Sequence, residues 1–120
     1  MLFVYGTLQP GRLRWPFLAP YVVGAARPAT VPGALYDTGG GWPIAVFGAA
    51  GAVPGTLVRL DPNRLGEALT VLDEIEVTAT ASLRRIVVTT TDGESAWAYH
   101  WVDAVDGFVP IDRWTSRDER

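Results

Sequence analysis

One carboxylate in the sequence stands on an otherwise apolar helical stripe. The stripe, spaced by four, three and four residues, consists of Leu65, Leu69, Leu72 and Glu76. Because this face should turn towards the core, burial should disfavour the charged form of Glu76 and raise its pKa. A carboxyl with a raised pKa suits general acid–base chemistry near neutral pH. The residues alone also allow Glu76 to pair with Arg84 or Arg85, or to lie exposed.

A strand-to-loop junction near the start of the chain could bind a small anion. The apolar run at residues 2–5 is typical of a buried strand, and Gly6 follows it directly. A glycine at this point lets backbone N–H groups turn towards a carboxylate or a phosphate. The alternative is a plain tight turn, because the segment is neither a P-loop nor a GxGxxG motif.

Composition excludes several other kinds of chemistry. The chain has no cysteine, and its ten basic residues are all arginine, so a cysteine nucleophile, a thiolate metal site and a lysine Schiff base are impossible. His100 is the only histidine, and we expect it to be structural because it shares a strand face with Ala96 and Ala98. With one histidine and no cysteine, we expect no metal site.

Charge and hydropathy restrict the partners and the compartment. The formal net charge is -3 and the arginines are scattered, so no nucleic-acid surface is expected. No apolar run approaches the ~18 residues of a membrane helix, and the first residues lack the features of a signal peptide. We therefore expect a cytoplasmic protein that binds no membrane, and the sequence leaves its oligomeric state open.

The elements that must position these residues are mostly strands. A length of 120 residues fits a single domain over 1–120, and the 13 glycines and 9 prolines favour short elements joined by many turns. Asp61 and Pro62 predict the start of one helix, and Asp92-Gly93 predicts a hairpin turn. Residues 15–23, with two prolines, and 103–120, a tail, should be irregular. The predicted strands cover residues 2–5, 27–36, 44–47, 53–60, 83–91 and 95–102.

Several of these segments, in this order, resemble the γ-glutamylcyclotransferase-like, or AIG2-like, proteins. Val4-Tyr5-Gly6-Thr7-Leu8 with Pro10-Gly11 is similar to the family's "VYGTLRPG" opening. Residues 72–76, Leu-Asp-Glu-Ile-Glu, are similar to its "LDxxEG" segment, which bears the catalytic glutamate. The segments 32–36 and 41–45 resemble the stretch between these two motifs, and an arginine-bearing strand, Asp92-Gly93 and residues 96–99 follow in the family's order.

The resemblance implies an α+β fold, a small mixed barrel-like sheet with one or two helices and a cavity at one mouth. It implies that the turn formed by Tyr5, Gly6, Thr7 and Leu8 binds the α-carboxylate of a substrate through backbone N–H groups. It also implies that Glu76 acts on the α-amine of that substrate.

The reaction implied is the conversion of a γ-glutamyl amine or γ-glutamyl amino acid to 5-oxoproline and a free amine. A carboxylate would deprotonate the α-ammonium, the amine would attack the γ-carbonyl, and the same carboxyl would protonate the leaving nitrogen. No cofactor is expected. The walls that recognise the leaving amine should come from residues 12–15 and 39–43.

Two positions depart from the family pattern and keep alternatives open. Val77 stands where the family has a glycine, and Leu83 stands where a tyrosine is common. Tyr99 could supply the hydroxyl instead and is a further candidate for substrate binding. Arg84 and Arg85 match the family's arginine equally well. A non-catalytic binding module on the same fold, or a different transferase or hydrolase of γ-glutamyl groups, therefore remains an alternative.

Overall fold

Six strands and two helices form the part of the chain that the structure describes. A computed structural model describes residues 1–76 and 82–115 of the chain. The strands are β1 (Leu2–Val4), β2 (Val22–Asp37), β3 (Pro43–Leu60), β4 (Leu83–Thr89), β5 (Ser95–Trp101) and β6 (Val109–Ile111). The helices are α1 (Trp15–Leu18), which continues into a 3-10 turn over Ala19–Tyr21, and α2 (Leu65–Glu76).

The strands build one mixed sheet in the order β4-β5-β1-β3-β2-β6. β1 pairs in parallel with β5, and each other neighbouring pair is antiparallel. The long strands β2 and β3 change register between Pro32 and Gly33, which bends the pair. The N–H of Thr91 donates to the carbonyl of Thr30 at 2.9 Å, so the loop after β4 reaches β2. The sheet is therefore barrel-like and nearly closed, as the sequence predicts.

The first strand is buried on both of its faces. Leu2 and Val4 belong to the apolar cluster that packs under α2, whereas Phe3 and Tyr5 belong to the cluster inside the curved sheet. Side chains alternate between the two faces of a strand, so one short strand serves both cores. Its end is consequently held firmly, and the turn that follows starts from a fixed position.

The helix that carries the candidate carboxylate is anchored at its first turn. The Asp61 carboxylate accepts from the N–H of Asn63 at 2.9 Å, which confirms the predicted cap. Residues 62–64 form a 3-10 turn and α2 follows directly. Ala68 and Leu72 are completely buried against the sheet. Neither described helix has the length and apolar character that crossing a membrane requires.

Three local expectations are wrong. Residues 15–21 are helical instead of irregular, because Pro16 lies in the first turn of α1, where the missing N–H costs nothing. The two strands expected at 44–47 and 53–60 are one strand, since β3 continues through the glycines between them. Within the tail expected at 103–120, Val109–Ile111 forms an edge strand on β2. Val77 and residues 116–120 lie outside the described residues.

Candidate functional site

A pocket lies between the start of α1, the end of β1, β5 and α2. Its empty space is ≈ 380 Å³, including the open mouth. Every site residue singled out from the sequence lines this pocket, namely Tyr5, Gly6, Thr7, Leu8, Glu76 and Tyr99. The structure thus brings together one helix residue, one strand residue and one turn that are far apart in the chain.

Glu76 reaches the pocket as a largely buried carboxyl. Its side chain is 14% exposed, and its nearest cation is Arg14, with Nη1 3.9 Å from Glu76 Oε1. Burial raises the pKa of Glu76, and the positive charge of Arg14 opposes that rise only in part. The arrangement suits a group that exchanges a proton near neutral pH. The sequence leaves the ion-pair partner of Glu76 open, and in the structure this partner is Arg14.

A second carboxylate on α2 organises the neighbouring wall. Asp73 accepts two hydrogen bonds from Arg85, from Nε at 3.0 Å and from Nη2 at 3.2 Å. It also accepts one from the hydroxyl of Tyr99 at 2.8 Å. Burial, and then the bond to Asp73, raise the pKa of Tyr99, so its hydroxyl stays protonated. Because that proton is committed to Asp73, the Tyr99 oxygen presents only acceptor lone pairs elsewhere.

Tyr99 lines the pocket, whereas Leu83 does not. Leu83 is 2% exposed and packs in the core, away from the pocket lining. The Tyr5 hydroxyl donates to the main-chain carbonyl of Tyr99 at 2.7 Å, inside the fold. Burial, with a smaller contribution from the charge of Glu76, raises the pKa of Tyr5. Tyr5 thus holds β5 in place, while Tyr99 supplies the polar oxygen.

The turn after β1 lines the pocket and carries three backbone N–H groups without a partner in the described part of the chain. The carbonyl of Gly6 accepts from the N–H of Gln9 at 3.1 Å, and the carbonyl of Thr7 accepts from the N–H of Arg14 at 2.8 Å. Among the residues that the structure describes, the N–H groups of Gly6, Thr7 and Leu8 have no protein acceptor. Three adjacent N–H groups of this kind form a concave site for an anion.

Gly6 is required for a reason that differs from the one expected. Its backbone does not adopt the left-handed conformation. A Cβ at this position would instead lie 2.5 Å from Pro43 Cγ and 2.8 Å from Pro43 Cδ. Because Gly6 has no side chain, Pro43 at the start of β3 can pack closely against the turn.

Sequence reasoning did not single out the remaining lining residues one by one. Arg14, Trp42 and Pro43 belong to the two loops that the sequence assigns to the leaving amine, but no pattern marks them individually. Trp42 packs against Trp101 with ring centroids 6.1 Å apart, which fixes this wall. Such loop residues are positioned by tertiary contacts, and no periodicity reveals them.

His100 takes no part in the pocket lining. Its Nδ1 accepts from the N–H of Phe47 at 3.1 Å, and the two rings stack. It serves the fold, as expected. Over residues 1–76 and 82–115, no group of three His, Cys, Asp or Glu side chains is arranged to hold a metal ion.

Solved structures with the same fold include proteins from three different organisms. The uncharacterized protein PH0828 of Pyrococcus horikoshii has a TM-score of 0.64 and 22% identity, covering 98% of this chain and 86% of its own. The uropathogenic E. coli-specific protein c4763 has a TM-score of 0.67 and 15% identity, and the match covers 92% of this chain and 86% of that protein. YkqA of Bacillus subtilis has a TM-score of 0.67 and 23% identity, and the match covers 94% of this chain but 38% of YkqA. These likenesses show the fold.

The family is shown by the sequence itself. Comparison with curated proteins gives no significant match. The sequence model described as gamma-glutamyl cyclotransferase, AIG2-like, matches residues 2–116. The match spans the turn at 5–8, Glu76 and Tyr99, the groups that line the pocket. The chain belongs to the gamma-glutamyl cyclotransferase, AIG2-like family.

Proposed function

We propose that this chain is a cyclotransferase that converts a γ-glutamyl amine or γ-glutamyl amino acid to 5-oxoproline and the free amine. The observation that carries the proposal is the buried carboxyl of Glu76 in a pocket that is also lined by the turn at 6–8, whose N–H groups have no acceptor among the described residues. These are the two groups needed to hold an amino acid by its carboxylate and its ammonium.

The substrate's α-carboxylate would bind the N–H groups of Gly6, Thr7 and Leu8. Its α-ammonium would then lie between the Glu76 carboxylate and the Tyr99 oxygen, both of which accept hydrogen bonds. Asp73 maintains this role of Tyr99, because it accepts the hydroxyl proton. Arg85 in turn holds Asp73 in place through two hydrogen bonds. Substrate binding therefore needs no movement of these groups.

The chemistry consists of proton transfers around one bond exchange. Glu76 removes a proton from the α-ammonium, and the freed amine attacks the γ-carbonyl carbon to close a five-membered lactam. The bond from that carbon to the leaving nitrogen breaks as Glu76 returns its proton to that nitrogen. The lactam nitrogen passes its second proton to the departing amine, which leaves as an ammonium ion. Nucleophile and electrophile belong to one bound molecule, so the attack is unimolecular and requires no redox or group-transfer cofactor.

The raised pKa of Glu76 suits both transfers. A strongly acidic carboxyl would not take the ammonium proton, whereas a pKa moved up by burial brings the proton affinities of donor and acceptor closer together. The positive charge of Arg14 favours the carboxylate form of Glu76, which the first step needs. The pocket thus balances burial against one nearby cation.

A direct test compares 5-oxoproline formation by the wild type with that by Glu76→Gln and Glu74→Gln. Mass spectrometry would follow a panel of γ-glutamyl amides. We expect Glu76→Gln to lose at least about 100-fold in kcat, and the exposed Glu74 on the same helix to be replaceable. Wild-type turnover by Glu76→Gln would overturn the mechanism. A ligand-induced rise in Tm with no product from any amide would instead favour the binding module.

A further inference from the structure

Arg14 is a charged pocket residue for which the proposed mechanism has no substrate partner. Its guanidinium lines the cavity, and the side chain is 32% exposed. The contact with Glu76, at 3.9 Å, is longer than a hydrogen bond. Among the described residues no acceptor within hydrogen-bond distance receives its five donors. The guanidinium group of Arg14 is therefore available to a ligand.

The backbone of Arg14 is fixed against the anion-binding turn. Its N–H donates to the carbonyl of Thr7 at 2.8 Å, and its carbonyl accepts from the N–H of Phe17 at 3.0 Å. The base of the side chain thus cannot drift relative to the turn or to α1. A cation held in this way has a defined place in the pocket.

The proposed reaction changes the charge that faces Arg14. Before proton transfer, the carboxylate of Glu76 balances the guanidinium. After transfer Glu76 is neutral, and Arg14 loses its counter-ion in a partly desolvated site, which is unfavourable. A carboxylate on the substrate beside Arg14 would remove this penalty at the step where it arises.

Distances restrict where such a carboxylate can be. The leaving nitrogen must lie about 3 Å from the Glu76 carboxyl to receive its proton. If the next carbon carries a carboxylate, the carboxyl carbon lies about 2.5 Å from that nitrogen, by standard bond lengths. Arg14 Nη1, 3.9 Å from Glu76 Oε1, is within reach of this group. A carboxylate at the far end of a long alkyl amine would lie beyond the guanidinium.

We infer that Arg14 determines specificity by binding a carboxylate on the carbon next to the leaving nitrogen, so that this pocket selects γ-glutamyl α-amino acids over γ-glutamyl amines. The inference rests on the proposed function and narrows its substrate class. The competing role for Arg14 is to hold the α-carboxylate of the glutamyl moiety, which every substrate has.

A matched substrate pair separates the two roles. γ-Glutamyl-alanine and γ-glutamyl-alaninamide differ only in the carboxylate of the leaving group. We expect the wild type to prefer the acid at least about tenfold in kcat/KM, and Arg14→Met to lose that preference by losing activity mainly towards the acid. Arg14→Lys should retain part of the preference. Arg59→Met, at an exposed position outside the pocket lining, should behave as the wild type.

Each outcome decides the matter. Equal rates for both substrates in the wild type would overturn the inference without any variant, so a failure of Arg14→Met to fold does not protect it. Equal losses for both substrates in Arg14→Met would assign Arg14 to the glutamyl moiety and also overturn it. No 5-oxoproline from either substrate would instead refute the proposed function itself. Inhibition by free alanine, weakened in Arg14→Met and stronger than that by alaninamide, would support the inference independently.

Discussion

Replacing Glu76 by glutamine should raise the free energy of unfolding relative to that of the wild type. This gain should be larger at neutral pH than at acidic pH. Glu76 has the shape of glutamine but carries a charge that its burial opposes. The side chain is only 14% exposed, and its one cationic neighbour stands 3.9 Å away. The substitution removes the titration and little of the packing.

The sign and size follow from proton linkage. In the folded state, burial raises the pKa of Glu76 above the ordinary value that it has in the unfolded chain. The stability that protonated Glu76 contributes is fully present below the unfolded-state pKa. It falls between the unfolded-state pKa and the folded-state pKa, because in this window only the folded state still holds the proton. Above the folded-state pKa it is lost. One carboxyl accounts for a slope of at most about 1.4 kcal/mol per pH unit.

Urea unfolding followed by tryptophan fluorescence would measure this difference from about pH 4.5 to about pH 8.5. The free energy of unfolding of Glu76→Gln minus that of the wild type should grow with pH and then level off. Glu74→Gln, which removes an exposed carboxylate from the same helix, controls for the change in net charge. Parallel stability curves for Glu76→Gln and the wild type would refute a burial-raised pKa, and with it the reasoning on the acid–base role.

Three further substitutions, with Gly66→Ala as a control, test the pocket and the core beneath it. Gly6→Ala should cost about 1–3 kcal/mol in urea unfolding and lower kcat/KM, because its Cβ would lie 2.5 Å from Pro43 Cγ. Gly66→Ala, with nothing within 4 Å of its Cβ, should add about 0.5–1 kcal/mol, and a similar gain for Gly6→Ala would contradict the close approach. Tyr99→Phe should lower kcat/KM about two- to tenfold by removing one acceptor, whereas an unchanged value would exclude its hydroxyl from substrate binding. Leu72→Ala should destabilise the protein by about 2–5 kcal/mol in the same unfolding assay, and a loss below about 1 kcal/mol would contradict its complete burial.

The candidate site could be predicted from the sequence where a regular period or a short local motif marks it. Helical spacing places Glu76 on the face of Leu72, and the structure shows both facing the sheet side of α2, with Glu76 at the pocket. The turn at 5–8 is similarly local, since it follows directly from the end of a buried strand. Residues whose position depends on one element alone are the ones that the sequence identifies.

Arg14 could not be predicted in the same way. Its place depends on the bond from its N–H to Thr7 and on a short helix that begins at the next residue. The sequence does not predict that helix, because Pro16 and Pro20 indicate an irregular segment, although proline is well tolerated in a first helical turn. An error over one proline thus concealed how the main cation of the pocket is positioned.

The choice between Arg84 and Arg85 shows how a single residue in a turn decides the wall of the site. In a hairpin, the numbers of two paired residues have a constant sum. A two-residue loop at Asp92-Gly93 would make this sum 185, so Arg85 would not pair with Tyr99 and would lie on the opposite face of the sheet. The N–H of Gly93 instead donates to the carbonyl of Thr90, the loop has three residues, and Arg85 pairs directly with Tyr99. Directly paired residues share a face, so both side chains reach Asp73. Because a slip of one residue reverses every face of a strand, the oxygen proposed to accept the substrate's ammonium depends on a turn outside the pocket lining.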